Sequence, residues 1–131
     1  MRIEVVEIAI PDCQRGDILV ATDRDLRAGH HPILFFDHMH SWDFIGCMLT
    51  HEVMDRNEPM IEDHFLDTSD EFEYENTQVV KGKFIKFAEW EPFYKVGRLS
   101  ESGIEFVERL IHGLPLETFG NYYRRRTRTR R

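Results

Sequence analysis

Two uninterrupted apolar runs organise the chain. "PILFFD" (Pro32–Asp37) and "FIGCMLT" (Phe44–Thr50) are each of strand length and are joined by the polar link "HMHSWD". Runs apolar on both faces predict strands buried on both sides, as in the middle of a small barrel. Upstream, "IEVVEIAI" (Ile3–Ile10) is rich in β-branched residues and predicts a strand. Pro11, Asp12 and Gly16 mark a turn before a second short strand, "DILVAT" (Asp17–Thr22). "DRDLRAGHH" (Asp23–His31) reads as a polar loop.

Downstream the pattern is choppier. "MIEDHFL" (Met60–Leu66) and "FEYENTQVV" (Phe72–Val80) are strand-like pieces within polar sequence. "KFIKFAEW" (Lys83–Trp90) sets Phe84, Ile85, Phe87 and Trp90 between Lys83, Lys86 and Glu89, predicting a strand that ends before Pro92; the short piece "YKVGRL" follows. The period then changes. Ile104, Val107, Leu110 and Ile111 recur at helical spacing and make one apolar stripe. Ser102 with Glu105 forms a capping box, Ser100 is the alternative N-cap, and Gly113 and Pro115 stop the helix. The expectation is a mainly β (α+β) protein: a mostly antiparallel barrel of five to seven strands with one C-terminal helix.

Composition adds boundaries. A chain of 131 residues, 41% hydrophobic and 31% charged, fits one soluble domain with a core that needs no disulfide or metal staple. The single domain is expected over residues 1–120. No membrane span or signal-peptide pattern is present, and Cys13 and Cys47 have no metal-type spacing. These features lead us to expect a cytoplasmic protein.

Charge is distributed unevenly. The net charge is -7, yet six of the 17 basic residues fall in the closing "RRRTRTRR" (Arg124–Arg131), and all 24 acidic residues precede it. Ten of those acids crowd into Glu52–Glu75 against the single Arg56, so residues 52–75 read as an acidic excursion of hairpins and loops. A like-charged terminus such as residues 121–131 is expected to be disordered and to serve either as a solvated tail or as a nucleic-acid or partner anchor. An acidic body does not itself offer a broad phosphate-binding face.

Five of the seven histidines fall between Gly29 and Glu52: His30, His31, His38, His40 and His51. His38 and His40 have the i, i+2 spacing that could hold a metal with Asp37 or Asp43, but they lie in a link between strands without a recognisable ligand signature, and no metal site or cofactor is expected. Trp42 and Met39 in that link could offer a base a stacking face, or simply pack the loop. Cys47 sits inside an apolar run and reads as a small core residue. Gly-rich phosphate loops, nucleophile elbows and Cys-x-x-Cys pairs are missing from the sequence.

"RGDILVA", then "GHHPILFF", a variable link and "FIGCMLTH" resemble the N-terminal half of the MazF/PemK-like toxins. "VGRLSESGIEFVERLI" (Val96–Ile111) resembles the strand-to-helix junction near that family's C-terminus. The resemblance covers about half the chain and leaves the acidic middle without a counterpart. It implies an SH3-like barrel and a metal-independent endoribonuclease acting on single-stranded RNA, in which a 2′-hydroxyl attacks the adjacent phosphate. It also implies a protein antitoxin and a homodimer as partners. In the family an arginine precedes the proline and a threonine ends the next strand; here His31 takes the arginine's place and "MLTH" keeps the threonine as Thr50, followed by His51. Histidines can serve as the acid and base of such a transesterification. The expected catalytic residues are therefore His31 and Thr50, helped by His30 and His51, with Trp42, Arg124, Arg125 and Arg126 contacting RNA. Two non-enzymatic readings stand beside this one. The chain could be an interaction module whose acidic excursion binds a basic partner, or a nucleic-acid-binding protein that relies on its arginine tail.

Overall fold

The computed structural model describes residues 3–21, 32–39, 43–51, 53, 57–70, 72–86, 92–122 and 124. The protein is mainly β, with ten strands and a principal α-helix among the described residues, and residues 119–122 are also helical. The strands are β1 (Val6–Ile8), β2 (Asp17–Ala21), β3 (Ile33–His38), β4 (Phe44–Thr50), β5 (Asn57–Pro59), β6 (Phe65–Thr68), β7 (Gln78–Val80), β8 (Lys83–Lys86), β9 (Phe93–Leu99) and β10 (Leu116–Glu117); α1 (Glu101–Ile111) separates the last two. No helix among the described residues is long and apolar enough to cross a membrane.

The four longest strands form the centre, in the order β9-β2-β3-β4, and every pair in it is antiparallel. Each outer member of this group is flanked by two short strands that share its length. On β9, β1 pairs with the Phe93–Lys95 half and β6 with the Gly97–Leu99 half. On β4, β8 pairs with Phe44–Gly46 and β7 with Leu49–Thr50. Among the described residues no ladder joins these two flanks, so the sheet is not closed into the expected barrel. The physical reason is local. None of these flanking strands of three or four residues runs the full length of its seven-residue neighbour, and the described chain between them includes turns.

Those turns belong to the acidic excursion. It was expected to contain a strand at Met60–Leu66, but a 3-10 turn at Glu62–His64 breaks that piece before β6. Of Phe72–Val80 only β7 is strand. The excursion is nonetheless part of the core. Its Met60 and Phe72 are buried with Val79 of β7, with Ile18, Leu34, Cys47, Leu49, Val96 and Leu99 from the central strands and with Val107 and Ile111 from α1. Five of its acids, Glu62, Asp63, Asp70, Glu73 and Glu75, are exposed. Burial of its apolar side chains thus holds an acidic outer face in place.

Helix α1 starts at Ser100, not Ser102: Ser100 Oγ accepts the Gly103 N–H at 3.2 Å. The Ser102 hydroxyl instead donates to the Asp63 carbonyl at 3.0 Å, which takes it out of any cap. The stripe buries Val107 and Ile111, with Ile104 and Leu110 half-buried beside them. Gly113, at φ +80°, turns the chain out of the helix. The fold continues past residue 120, because residues 119–122 are helical and Tyr122 is buried with Met48, Val80 and Phe84. The boundary expected between domain and tail therefore moves to beyond Tyr122.

Candidate functional site

The two motif strands meet end to end as antiparallel neighbours. Ile33 lies opposite Met48 and Leu34 opposite Cys47, and the Leu49 N–H donates to the Pro32 carbonyl at 3.0 Å. The chain thus enters β3 beside the place where it leaves β4. Thr50, the last residue of β4, is 7% exposed and lies opposite Gln78 of β7. His51 follows it at the surface. His30, His31 and His40 lie outside the described residues, as do Trp42, Arg125 and Arg126.

His51 is held from the excursion. Its Nε2 lies 2.9 Å from the Glu73 carbonyl oxygen. A carbonyl can only accept, so Nε2 carries the proton and the neutral ring keeps the lone pair on Nδ1. The same Glu73 oxygen accepts the buried Thr77 hydroxyl at 3.2 Å. In turn Thr77 donates its N–H to Tyr74 and accepts the Met60 N–H through its carbonyl. Backbone therefore fixes which imidazole nitrogen of His51 can act as a base.

The other predicted residues are more scattered. Arg124 is exposed, and its guanidinium donates to the Asn121 side-chain oxygen. It stands just beyond Tyr122, which packs against Met48, two residues before Thr50. His38 is tied to the Cys13 carbonyl at 3.1 Å and edges onto Phe35. Among the described residues no group of three or more His, Cys, Asp or Glu side chains could hold a metal ion.

Three ionisable groups had escaped the reading of the sequence. Asp17, at the start of β2, is 1% exposed; its Oδ1 receives Arg98 at 2.7 Å and Lys95 at 3.1 Å, and its Oδ2 accepts the Gln14 N–H at 2.8 Å. This triad clamps β2 to β9 and keeps both cations at the carboxylate. The signal was available, since Asp17 is an acid directly joined to the apolar run Ile18–Ala21. Lys86, counted among the polar residues of its strand, is fully buried, with Nζ 5.1 Å from the Phe84 ring centroid and 5.8 Å from that of Phe119. Period-two alternation puts it on the same face as Phe84, which a stricter reading of β8 would have recognised. The third is His64, whose stacking partner Phe106 lies far along the chain.

The buried thiol is inert. Desolvation pushes Cys47 up to about 12, well above its ordinary value, against the weaker opposing pull of Lys86 and Lys83. The Tyr74 hydroxyl is raised chiefly by the negative charge of Glu62, whose Oε1 lies 3.5 Å away. Burial lowers His64 from the ordinary imidazole value, and neighbouring Asp63 opposes the shift. Set against models of known protein families the chain matches none, and no curated protein matches it either.

Proposed function

We propose that the chain is a metal-independent endoribonuclease of the toxin–antitoxin type, acting on single-stranded RNA where β3 begins and β4 ends. The observation that carries this reading is the Pro32–Leu49 hydrogen bond, which sets the residue after His31 beside the residue before Thr50. Metal independence, the RNA substrate and the expected antitoxin and second copy come from the resemblance, and the geometry is compatible with them. In the proposed reaction a neutral histidine takes the 2′-hydroxyl proton as the 2′-oxygen bonds to phosphorus. The bond to the 5′-oxygen breaks, a protonated histidine supplies that oxygen with a proton, and a 2′,3′-cyclic phosphate remains. His51, with Nδ1 available, suits the base, and His31 is assigned the acid. Thr50, being buried, acts by holding the end of β4 in place.

The test is cleavage of a mixed-sequence single-stranded RNA by the purified chain in excess EDTA, alongside His31→Ala and His51→Ala. Cutting should persist in the chelator and fall by about 10²-fold or more in each variant, the usual scale for removing a general acid or base. Cutting that requires a metal would refute the proposal. Intact RNA would favour the second reading, an interaction module for a basic partner. That reading draws on the exposed Asp70, Glu73 and Glu75, carried by a segment that Met60 and Phe72 anchor in the core. Neutralising those acids would then abolish binding, and changing His31 or His51 would not.

A further inference from the structure

The 3-10 turn Glu62–His64 and the N-terminus of α1 are joined by a small set of directional contacts that converge on one imidazole. His64 is 9% exposed, and its ring stacks on Phe106 of α1 at 4.3 Å between centroids and 26° between planes. Its Nδ1 accepts the Ile61 N–H at 3.1 Å, closing the turn. Its carbonyl accepts the Ser100 N–H at 2.9 Å, while the Asp63 carbonyl accepts the hydroxyls of Ser100, at 2.6 Å, and Ser102, at 3.0 Å. Gly103 leaves the His64 backbone room to lie directly on the helix. Turn and helix dock through these contacts.

An imidazole in this place has two incompatible states. When neutral, with hydrogen on Nε2, its Nδ1 is an acceptor and suits the Ile61 amide. When protonated, both nitrogens are donors, and Nδ1–H would point at another N–H. The ring would also be a cation with most of its surface removed from water. We propose that His64 is a proton-operated latch: the neutral ring holds the Glu62–His64 turn on α1, and protonation of Nδ1 releases it.

The charges around the ring are few. Asp63, on the turn itself, favours the protonated form but is outweighed by burial. Glu62 on the same turn is engaged by the Tyr74 hydroxyl from the neighbouring loop. Helix α1 faces the ring with Phe106 and the backbone with Gly103, neither of which titrates, and its Glu101 and Glu105 are exposed. Strand β9 ends beside it in apolar Leu99. The sign follows from this balance. The folded-state value is depressed below the ordinary 6.5, so the latch's contribution is complete above pH 6.5 and is lost as pH falls through that value toward the folded-state one.

Release would not stay local. The turn is followed by β6 on β9 and preceded by Met60, whose N–H reaches the Thr77 carbonyl; Thr77 also binds the Glu73 carbonyl that holds His51. The latch thus stands at one end of a continuous hydrogen-bonded path to His51. Its test needs no RNA, which keeps its failure separate from that of the nuclease reading.

Amide hydrogen exchange at Ile61 and Ser100 should be followed by NMR between pH 8 and pH 5, with the His64 ring resonances titrated in the same samples. Protection factors of both amides should drop together with ring protonation, by up to about tenfold per pH unit where the two states differ by one proton. His64→Asn places a non-titrating oxygen near Nδ1 and should hold protection level across the range. His64→Phe keeps the stack, lacks the acceptor, and should show low protection of Ile61 at every pH. Protection that stays constant while the wild-type ring titrates would overturn the proposal, as would an equal drop in the asparagine variant.

Discussion

Replacing Gly103 with alanine sets two effects of opposite sign against each other. A methyl group added there would sit 2.1 Å from the His64 carbonyl oxygen, 3.0 Å from its carbonyl carbon and 3.1 Å from its Cα. Ordinary carbon–oxygen contacts are about 3.3 Å or longer, so the turn must retreat by roughly 1 Å. All three nearest atoms are backbone, and no side-chain rotation relieves the contact. Helix propensity favours alanine by at most about 1 kcal/mol, and by less in the first turn, where Gly103 lies. A retreat of that size breaks the bonds from Ser100 N to His64, from Ser100 Oγ to Asp63 and from Ser102 Oγ to Asp63. At about 1 kcal/mol net apiece these amount to roughly 3 kcal/mol. Loss of the His64–Phe106 stack adds about 0.5–1.5 kcal/mol. The clash should win, leaving Gly103→Ala about 3–4 kcal/mol less stable than the native chain in urea unfolding. Gly113→Ala is the control: nothing lies within 4 Å, and only the φ of +80° opposes a side chain, at a cost of about 1 kcal/mol. A Gly103→Ala protein as stable as the native one would refute the reasoning, because it would mean that turn and helix are not in backbone contact.

Two further outcomes follow from buried groups. Asp17→Ala leaves Arg98 and Lys95 facing each other without their carboxylate; the loss should be about 3 kcal/mol, the low end for a broken buried pair because both cations are a quarter exposed. A change under about 1 kcal/mol in urea unfolding would show that β2 is held to β9 by its ladder alone. Cys47, raised to about 12 and fully enclosed, should resist a disulfide reagent at pH 8 until denaturant is added, with Cys13 buried likewise. Rapid native labelling at position 47, located by mass spectrometry, would contradict that burial.

The central strands were legible because their environment is written into them. β4 occupies the expected Phe44–Thr50, β2 occupies Asp17–Ala21 of the expected Asp17–Thr22, whose last residue lies outside the described ones, and β3 is shifted by one residue at both ends. The helical stripe was equally plain. The flanks were not. Whether "MIEDHFL" is one strand or a turn followed by a strand depends on Phe106 and Ser100, which meet it only in the folded chain. Closure of the sheet likewise depends on how much of β4 and β9 each short neighbour covers. Of the candidate site, the placement of Thr50 and His51 at the end of β4 could be read from the motif. The orientation of the His51 ring could not, because its partner is a main-chain carbonyl, and every residue type offers one.

The shared occupancy of β9 bears on the order in which the protein assembles. Strands β1, β2 and β6 all pair with this one late segment, and the Arg98–Asp17 contact spans 81 positions of sequence. On a ribosome, the β2–β3–β4 meander can form as soon as it emerges, because its pairings are local. The N-terminal strand and β6 have no template until Leu99 has cleared the exit tunnel, whereas β5 can already reach β4 through β7. For most of its synthesis, then, the nascent chain holds a small folded kernel between two unpaired arms. The arrival of a single seven-residue strand brings β1 and β6 into the sheet, and β10 joins β8 after it.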